Sequence, residues 1–428
     1  FYTDFADYTM TISAPEEWLI LGTGTLQNPE DVLVEEVRSR LERVPQTDEV
    51  VSVVGEELLE QGPTRSSSDG TLTWEFEADR VRDVAFSATT SSVWDAVRAP
   101  VGDRDGDGTT DYTRVDALYR STAPLWTETA DHGRHAIEFH SDRLGIPYPW
   151  PHMTIVEGGG IIGGGMEYPM MTLIGDYRSS TDTALYAVTS HELSHMWIPM
   201  IVNTDERRFA WFDEGHTTFN ENVSKHDRYP GVDFHEPDRE DYLSIAGAWE
   251  EGEMMRWSNY HYLDDPYWVA SYDKPATVLV ALRKLLGEET FNEAYRQFYA
   301  DWAYKHPYPW DFFNTVERVA GRELDWFWHS WYYETWTLDQ AIASVEVEND
   351  EATITVRDRG RIPMPVYLTV THANGTRTDR TVSVDRWLEG HRSATVTVDA
   401  SSAVERVEIN PDGTLPDVDR ANNVWTAP

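Results

Sequence analysis

Short runs of alternating apolar and polar residues lie near both ends of the chain, and apolar residues recur at helical spacing through its middle. Alternation over residues 1–12 and 71–86 predicts strands, with a helix over 31–41 between them. Residues 1–120 therefore read as a β-rich unit. Helical spacing then appears over 126–144, 183–197 and 275–286, with a strand predicted at 153–156. A helical lobe follows over 275–336, rich in aromatics such as Phe312, Phe313, Trp328, Trp331 and Tyr332. Their spacing predicts core packing, with a minority left to line a pocket. Residues 339–428 alternate again in runs such as Val345-Glu346-Val347 and Thr353-Ile354-Thr355-Val356, and Asn374-Gly375 marks a tight hairpin turn. Three domains are expected, at 1–120, 121–338 and 339–428, in an α+β multidomain chain with an antiparallel β-sandwich at its end.

Within this pattern sits His191-Glu192-Leu193-Ser194-His195. Ser180, Thr181 and Asp182 offer caps for its helix, and Pro199 stops the run. Positions i and i+4 share a helix face, so both imidazoles aim at one point. Zinc takes such donors in a tetrahedron, with one position open when it catalyses. A third donor must come from elsewhere, and Glu214 in Trp211-Phe212-Asp213-Glu214-Gly215 is the candidate. Asp213 reads as an N-cap, which would place Glu214 in the first turn of a second helix. Glu221, two turns further on, is placed to orient a ligating histidine. Glu192 lies about 100° around the helix from His191. It is expected to reach a water held by the metal without binding the metal itself, and to act as general base.

The glycine run at 158–165 lacks the Lys-Ser/Thr ending of a phosphate cradle, and no helix opens directly after it. It is expected to be a mobile loop feeding an edge strand, where glycines let a peptide backbone approach.

The His-Glu-x-x-His segment, eighteen further residues and then Glu214 resemble the M1 family of zinc aminopeptidases. Gly164-Gly165-Met166-Glu167-Tyr168 is similar to the family's Gly-x-Met-Glu-Asn strand, and Ser271-Tyr272-Asp273-Lys274-Pro275 to its Tyr-x-Lys-Gly segment. The resemblance runs from about Ala123 to Asp339. It implies a partial saddle-like β domain, a thermolysin-like catalytic domain with a helical lobe, and a β-sandwich. It also implies that His191, His195 and Glu214 bind one zinc, that Glu192 is the general base, and that Tyr272 stabilises the oxyanion. Glu167, with Gly164, Gly165 and Met166, would bind the substrate's free N-terminus. Charge-assisted hydrogen bonds to an ammonium suit that role, and a phenol aimed at a developing oxyanion favours the transition state. Tyr168 and Pro275 depart from the family's Asn and Gly. Pro275 is acceptable as the first residue of a helix. The implied activity is removal of N-terminal residues from peptides by attack of zinc-activated water. A thermolysin-like endopeptidase is the alternative within the chemistry, and a non-catalytic binding protein the alternative outside it.

Charge adds a second theme. The chain carries 75 acidic against 35 basic residues, for a net charge of −40, and its only lysines are Lys225, Lys274, Lys284 and Lys305. Such a surface repels itself in dilute buffer and is screened in strong salt. The composition resembles that of proteins from salt-accumulating halophiles, and it disfavours nucleic acid as a partner. There is no cysteine, hence no disulfide and no thiolate ligand. No apolar run reaches the roughly 18 residues of a membrane span. No signal peptide is visible, and a chain beginning at Phe1 is expected to be a processed or trimmed product. A secreted or periplasmic location is favoured over the cytoplasm.

A third motif runs from Asp103 through Asp105 and Asp107 to Asp111, with Gly106 at its centre. The spacing matches the start of an EF-hand-like loop and suggests calcium, although Arg114 stands where a bidentate glutamate is needed. An acidic hairpin turn is the competing reading.

Overall fold

The structure, a computed structural model, describes residues 2–428. Two compact units are present, each assembled from separated stretches of chain.

The first unit comprises the chain up to Asp205, together with Asn220–Phe234 and Tyr295–Tyr308. A three-stranded sheet places Thr71–Val81 between Ala6–Pro15 and Thr25–Leu26. Its alternate residues Leu72, Trp74, Phe76 and Ala78 turn inward, as the pattern over 71–86 predicts. A six-stranded sheet runs in the order Gly165–Tyr168, Met171–Ile174, His152–Glu157, Asp111–Tyr119, Val93–Gly102, Val51–Val54. The central strand His152–Glu157 pairs in parallel on both sides and is buried at every position. Burial of both faces removes the alternation that marks a half-exposed strand. This sheet runs across residue 120, because Asp111–Tyr119 pairs directly with His152–Glu157.

Helices Thr129–Leu144 and Asp182–Ser194 belong to the same unit. A β-carbon at Gly133 would lie 2.6 Å from Ile155 Cδ1 and 2.7 Å from Val115 Cγ1, so glycine is what lets the first helix sit down on the sheet. The helix expected over 31–41 is two short helices, Pro29–Val32 and Glu35–Leu41. Leu33 breaks the run by turning extended to bridge Thr64.

The second unit comprises Glu206–Phe219, His235–Ala294 and Pro309–Pro428. Helices Lys274–Leu286 and Pro309–Ala320 enclose an aromatic core in which Phe313 stacks on Trp328 at 4.5 Å between ring centroids. Phe312, Trp331 and Tyr332 are fully buried, whereas Trp310 and Tyr333 are exposed. Lys274 and Glu251 form an internal ion pair, Nζ to Oε1 2.7 Å, with both side chains about 1% exposed.

After Asp339 the chain makes two antiparallel sheets. One orders Gln340–Glu348, Glu351–Asp358 and Ser393–Asp399, and the other Arg377–Val382, Val366–His372, Val404–Ile409 and Val424–Thr426. Ile354, Val356, Leu368, Val370 and Val407 share their common core. The expected hairpin is present, with Gly375 at φ +81° and Thr376 N–H donating to Asn374 Oδ1.

Candidate active site

Helix Asp182–Ser194 begins at Thr181, whose hydroxyl accepts from Ala184 N–H at 3.2 Å. The sequence pattern carried this helix to Trp197, but it ends at Ser194 and His195 is its C-cap. The chain turns there toward Pro199. His191 and His195 still share a face, with ring centroids 4.9 Å apart.

Both rings are held by the nitrogen that a metal would not use. His195 Nδ1 lies 3.0 Å from the Ile198 carbonyl, which only accepts, so Nδ1 carries the proton and Nε2 keeps a lone pair. His191 Nδ1 lies 3.1 Å from Glu221 Oε2, and Lys225 Nζ donates to the other oxygen at 2.7 Å. Burial by itself raises the Glu221 carboxyl, but the charge of Lys225 and the bond to His191 outweigh it and bring the pKa down to about 2. Glu221 is therefore an anion that accepts from His191. This carboxylate-to-imidazole arrangement is the one that orients metal-binding histidines.

The edge strand Gly165–Tyr168 pairs antiparallel with Met171–Ile174, setting Glu167 opposite Thr172. Glu167 is buried, and one of its oxygens, one of Glu192 and a ring nitrogen of His195 all lie within 4.8 Å of one another. Gly165 makes this possible. A β-carbon there would fall 2.2 Å from Glu192 Oε1, inside the carboxylate itself. The glycine run just before the strand forms a one-turn segment, Gly159–Ile161, rather than a phosphate cradle.

In the second unit, Glu214 lies in a π-helical turn, Trp211–Gly215, that leads without a break into helix His216–Arg228. Asp213 is thus inside a helical run and is not its N-cap. The π turn's extra residue re-aims the side chains around Glu214 relative to a plain helix start. Tyr272 occupies a matching π turn, Val269–Asp273, just before helix Lys274–Leu286. Pro275 does not open a free helix either, since helical residues run from Asp264 onward. The π turn accommodates the ring where a regular turn would need its N–H. Gly215 gives Pro275 its room, because a β-carbon on Gly215 would fall 2.4 Å from Pro275 Cγ.

The Tyr272 hydroxyl donates to Glu214. Burial first, and then the Glu214 charge, push this phenol far above its ordinary range, so it stays a proton donor. Trp268, half exposed, lies over Tyr272 with centroids 4.8 Å apart. Sequence reasoning missed Trp268, although it stands four residues before Tyr272 in one helical run, the spacing at which side chains meet. It also missed the Lys274–Glu251 pair, because Glu251 comes from a distant loop.

The acidic loop is a turn between Val93–Gly102 and Asp111–Tyr119. Oxygens of Asp103, Asp105 and Asp111 lie within 4.8 Å of one another. Both Asp103 oxygens accept backbone N–H bonds, from Gly106 and Gly108, and Asp107 accepts from Thr109. These turns hold the loop with its own amides.

Two imidazoles with oriented lone pairs, a carboxylate behind His191 and a second carboxylate beside His195 are the arrangement of a His-Glu-x-x-His metallopeptidase domain. Residues 128–331 match the Peptidase family M1 domain. It is 25% identical over 231 residues to Aminopeptidase M1-C of Oryza sativa subsp. japonica, covering 51% of this chain and 26% of that protein. It is 26% identical over 203 residues to Endoplasmic reticulum aminopeptidase 1 of Mus musculus, covering 43% of this chain and 21% of that one. The fold is similar to that of Legionella pneumophila aminopeptidase A, solved in complex with aspartic acid. That likeness has a TM-score of 0.69 at 14% identity, over 96% of this chain and 44% of the other. The chain thus spans about a quarter of the length of the curated relatives it matches.

Proposed function

We propose that this chain is a zinc aminopeptidase that hydrolyses the first peptide bond of substrates with a free N-terminus. The observation that carries the reading is Glu167, on the edge strand, held beside Glu192 and His195. A second buried carboxylate next to a general base serves no hydrolytic step, but it suits an ammonium group.

His191, His195 and Glu214 would hold the zinc, and their two nitrogens and one oxygen are donors that zinc accepts. When bound, zinc supplies Lewis-acid polarisation and a nucleophile usable near neutral pH. Glu221 keeps His191 in the required tautomer. Glu192 accepts a proton from the attacking water at a carboxylate oxygen and passes it to the leaving amine. Tyr272, held protonated, donates to the oxyanion as charge develops. Glu167 binds the α-ammonium and sets the scissile bond one residue from the chain end. Trp268 shields Tyr272 on one side.

The test compares one short peptide with a free N-terminus and the same peptide N-acetylated. Cleavage of the free form alone, abolished by Glu192→Ala with zinc still bound, is the expected result. Equal cleavage of both forms would move the protein to the endopeptidases and leave Glu167 structural. Full activity in Glu192→Ala would refute the mechanism.

A further inference from the structure

A cavity of about 420 Å³ lies in the first unit, and none of its lining residues belongs to the candidate active site. Strands of the unit's three-stranded and six-stranded sheets line it, together with Ile20 and Leu21 and with helix Glu35–Leu41. The volume falls within the range of small-molecule pockets, roughly 300–1,000 Å³. Its walls are apolar and include Leu33, Trp74, Phe76 and Trp94, each at most 3% exposed, and the less buried Leu26 and Leu41.

Polar groups in this cavity are left incomplete by the protein. Arg38 lines it, its Nε is buried without a hydrogen-bond partner, and its guanidinium makes no ion pair among the described residues. Trp74 Nε1 is also buried and unpartnered. Arg114 spends only its Nε on Asp116, at 2.8 and 2.9 Å, and Trp94 Nε1 donates to the same carboxylate at 2.8 Å. Asp116 is thereby engaged through both oxygens, and the terminal nitrogens of Arg114 hold no bond among the described residues. Arg38 Nε, withheld from water and unpaired, is costly to bury, and a planar carboxylate is the acceptor whose shape matches a guanidinium. Glu30 and Glu42 also line the cavity, and both are exposed. Their charge opposes a polyanion such as a phosphate and leaves a monoanion as the acceptable guest.

We propose that this cavity binds an apolar monocarboxylate, about the size of one aromatic or branched aliphatic side chain, with its carboxylate on Arg38 and its body against Trp74, Phe76 and Trp94. Two sources share this chemistry: an aromatic or aliphatic acid, and a free apolar amino acid whose ammonium would face Glu30 or Glu42. The site stands independently of the peptidase reading.

Titration calorimetry on the full zinc-loaded chain tests it with three probes: 3-phenylpropionate, its amide, and L-phenylalanine. Expected are one-to-one binding of 3-phenylpropionate and weakening by about tenfold or more in Arg38→Met, with the amide binding the variant as it binds the parent. Leu41→Trp, which fills the cavity from a partly exposed position, should abolish binding and gives a second reading if Arg38→Met folds poorly. Tighter binding of L-phenylalanine than of 3-phenylpropionate would identify the amino acid as the guest, and the reverse the simple acid. No binding of either at millimolar concentration overturns the proposal. So does binding that both variants retain, or binding that a zinc-directed peptidase inhibitor displaces.

Discussion

A β-carbon at Gly165 would sit 2.2 Å from Glu192 Oε1, so the edge strand and the carboxylate touch only because residue 165 has no side chain. Gly165→Ala must push Glu192 aside or lift the strand. A displacement of about 1 Å can cost on the order of a hundredfold in rate. The expected outcome is a fall of that order in kcat with the melting temperature within a few degrees of the parent. Unchanged kcat would show that Glu192 is not tied to this strand during turnover.

Glu221 is predicted to act on metal retention rather than on the fold. Glu221→Gln keeps the shape but loses the anion that His191 Nδ1 faces. Zinc affinity should drop by about 10–100-fold in a chelator competition, with activity restored by excess zinc. Affinity equal to the parent's would remove Glu221 from the metal site.

The Lys274–Glu251 pair is enclosed on all sides. Removing one partner leaves the other charge buried and alone, which costs about 3–5 kcal/mol. Glu251→Gln should therefore lower the denaturant midpoint substantially. Lys274→Met combined with Glu251→Leu should recover much of the loss, since the uncompensated charge is then gone.

Asp273 sets a pH dependence. Burial, and then the neighbouring Asp241, raise its carboxyl to about 7. The unfolded carboxyl ionises near 4. Between those values the unfolded chain releases a proton that the folded chain keeps, so this group lowers stability as pH rises from about 4 to about 7. Asp273→Asn should be more stable than the parent at pH 8 and lose that advantage near pH 4. An advantage equal at both pH values would assign the effect to packing.

Salt should favour this chain. With a net charge of −40, self-repulsion is strongest in dilute buffer, and molar potassium chloride shortens its reach to about 3 Å. Melting temperature and turnover are both expected to rise from low to molar salt. Full stability at low ionic strength with no gain on adding salt would refute a halophilic adaptation.

Much of the site was legible in the chain because its geometry is local. The i, i+4 spacing puts His191 and His195 on one face wherever that helix lies, and Glu221 was found by counting turns. What misled were helix starts. Asp213 and Pro275 have the residue types of an N-cap and a first turn, yet both lie in runs continued through π turns. A π turn inserts one residue and leaves no mark in the apolar period. The strand expected over 153–156 is present as His152–Glu157, read from its apolar run even though burial on both faces erases alternation.

The sequence by itself determined the donor types, their spacing along one helix, the antiparallel C-terminal strands and the charge that governs behaviour in salt. These follow from short-range periodicity and composition. Tertiary structure alone decided that Gly165 gives Glu192 its place, that Gly215 admits Pro275, that Lys274 finds Glu251, and that Arg38 lines a cavity with its Nε unpartnered among the described residues. Each depends on chain segments brought together by packing, and distance between such segments is not encoded in any local pattern.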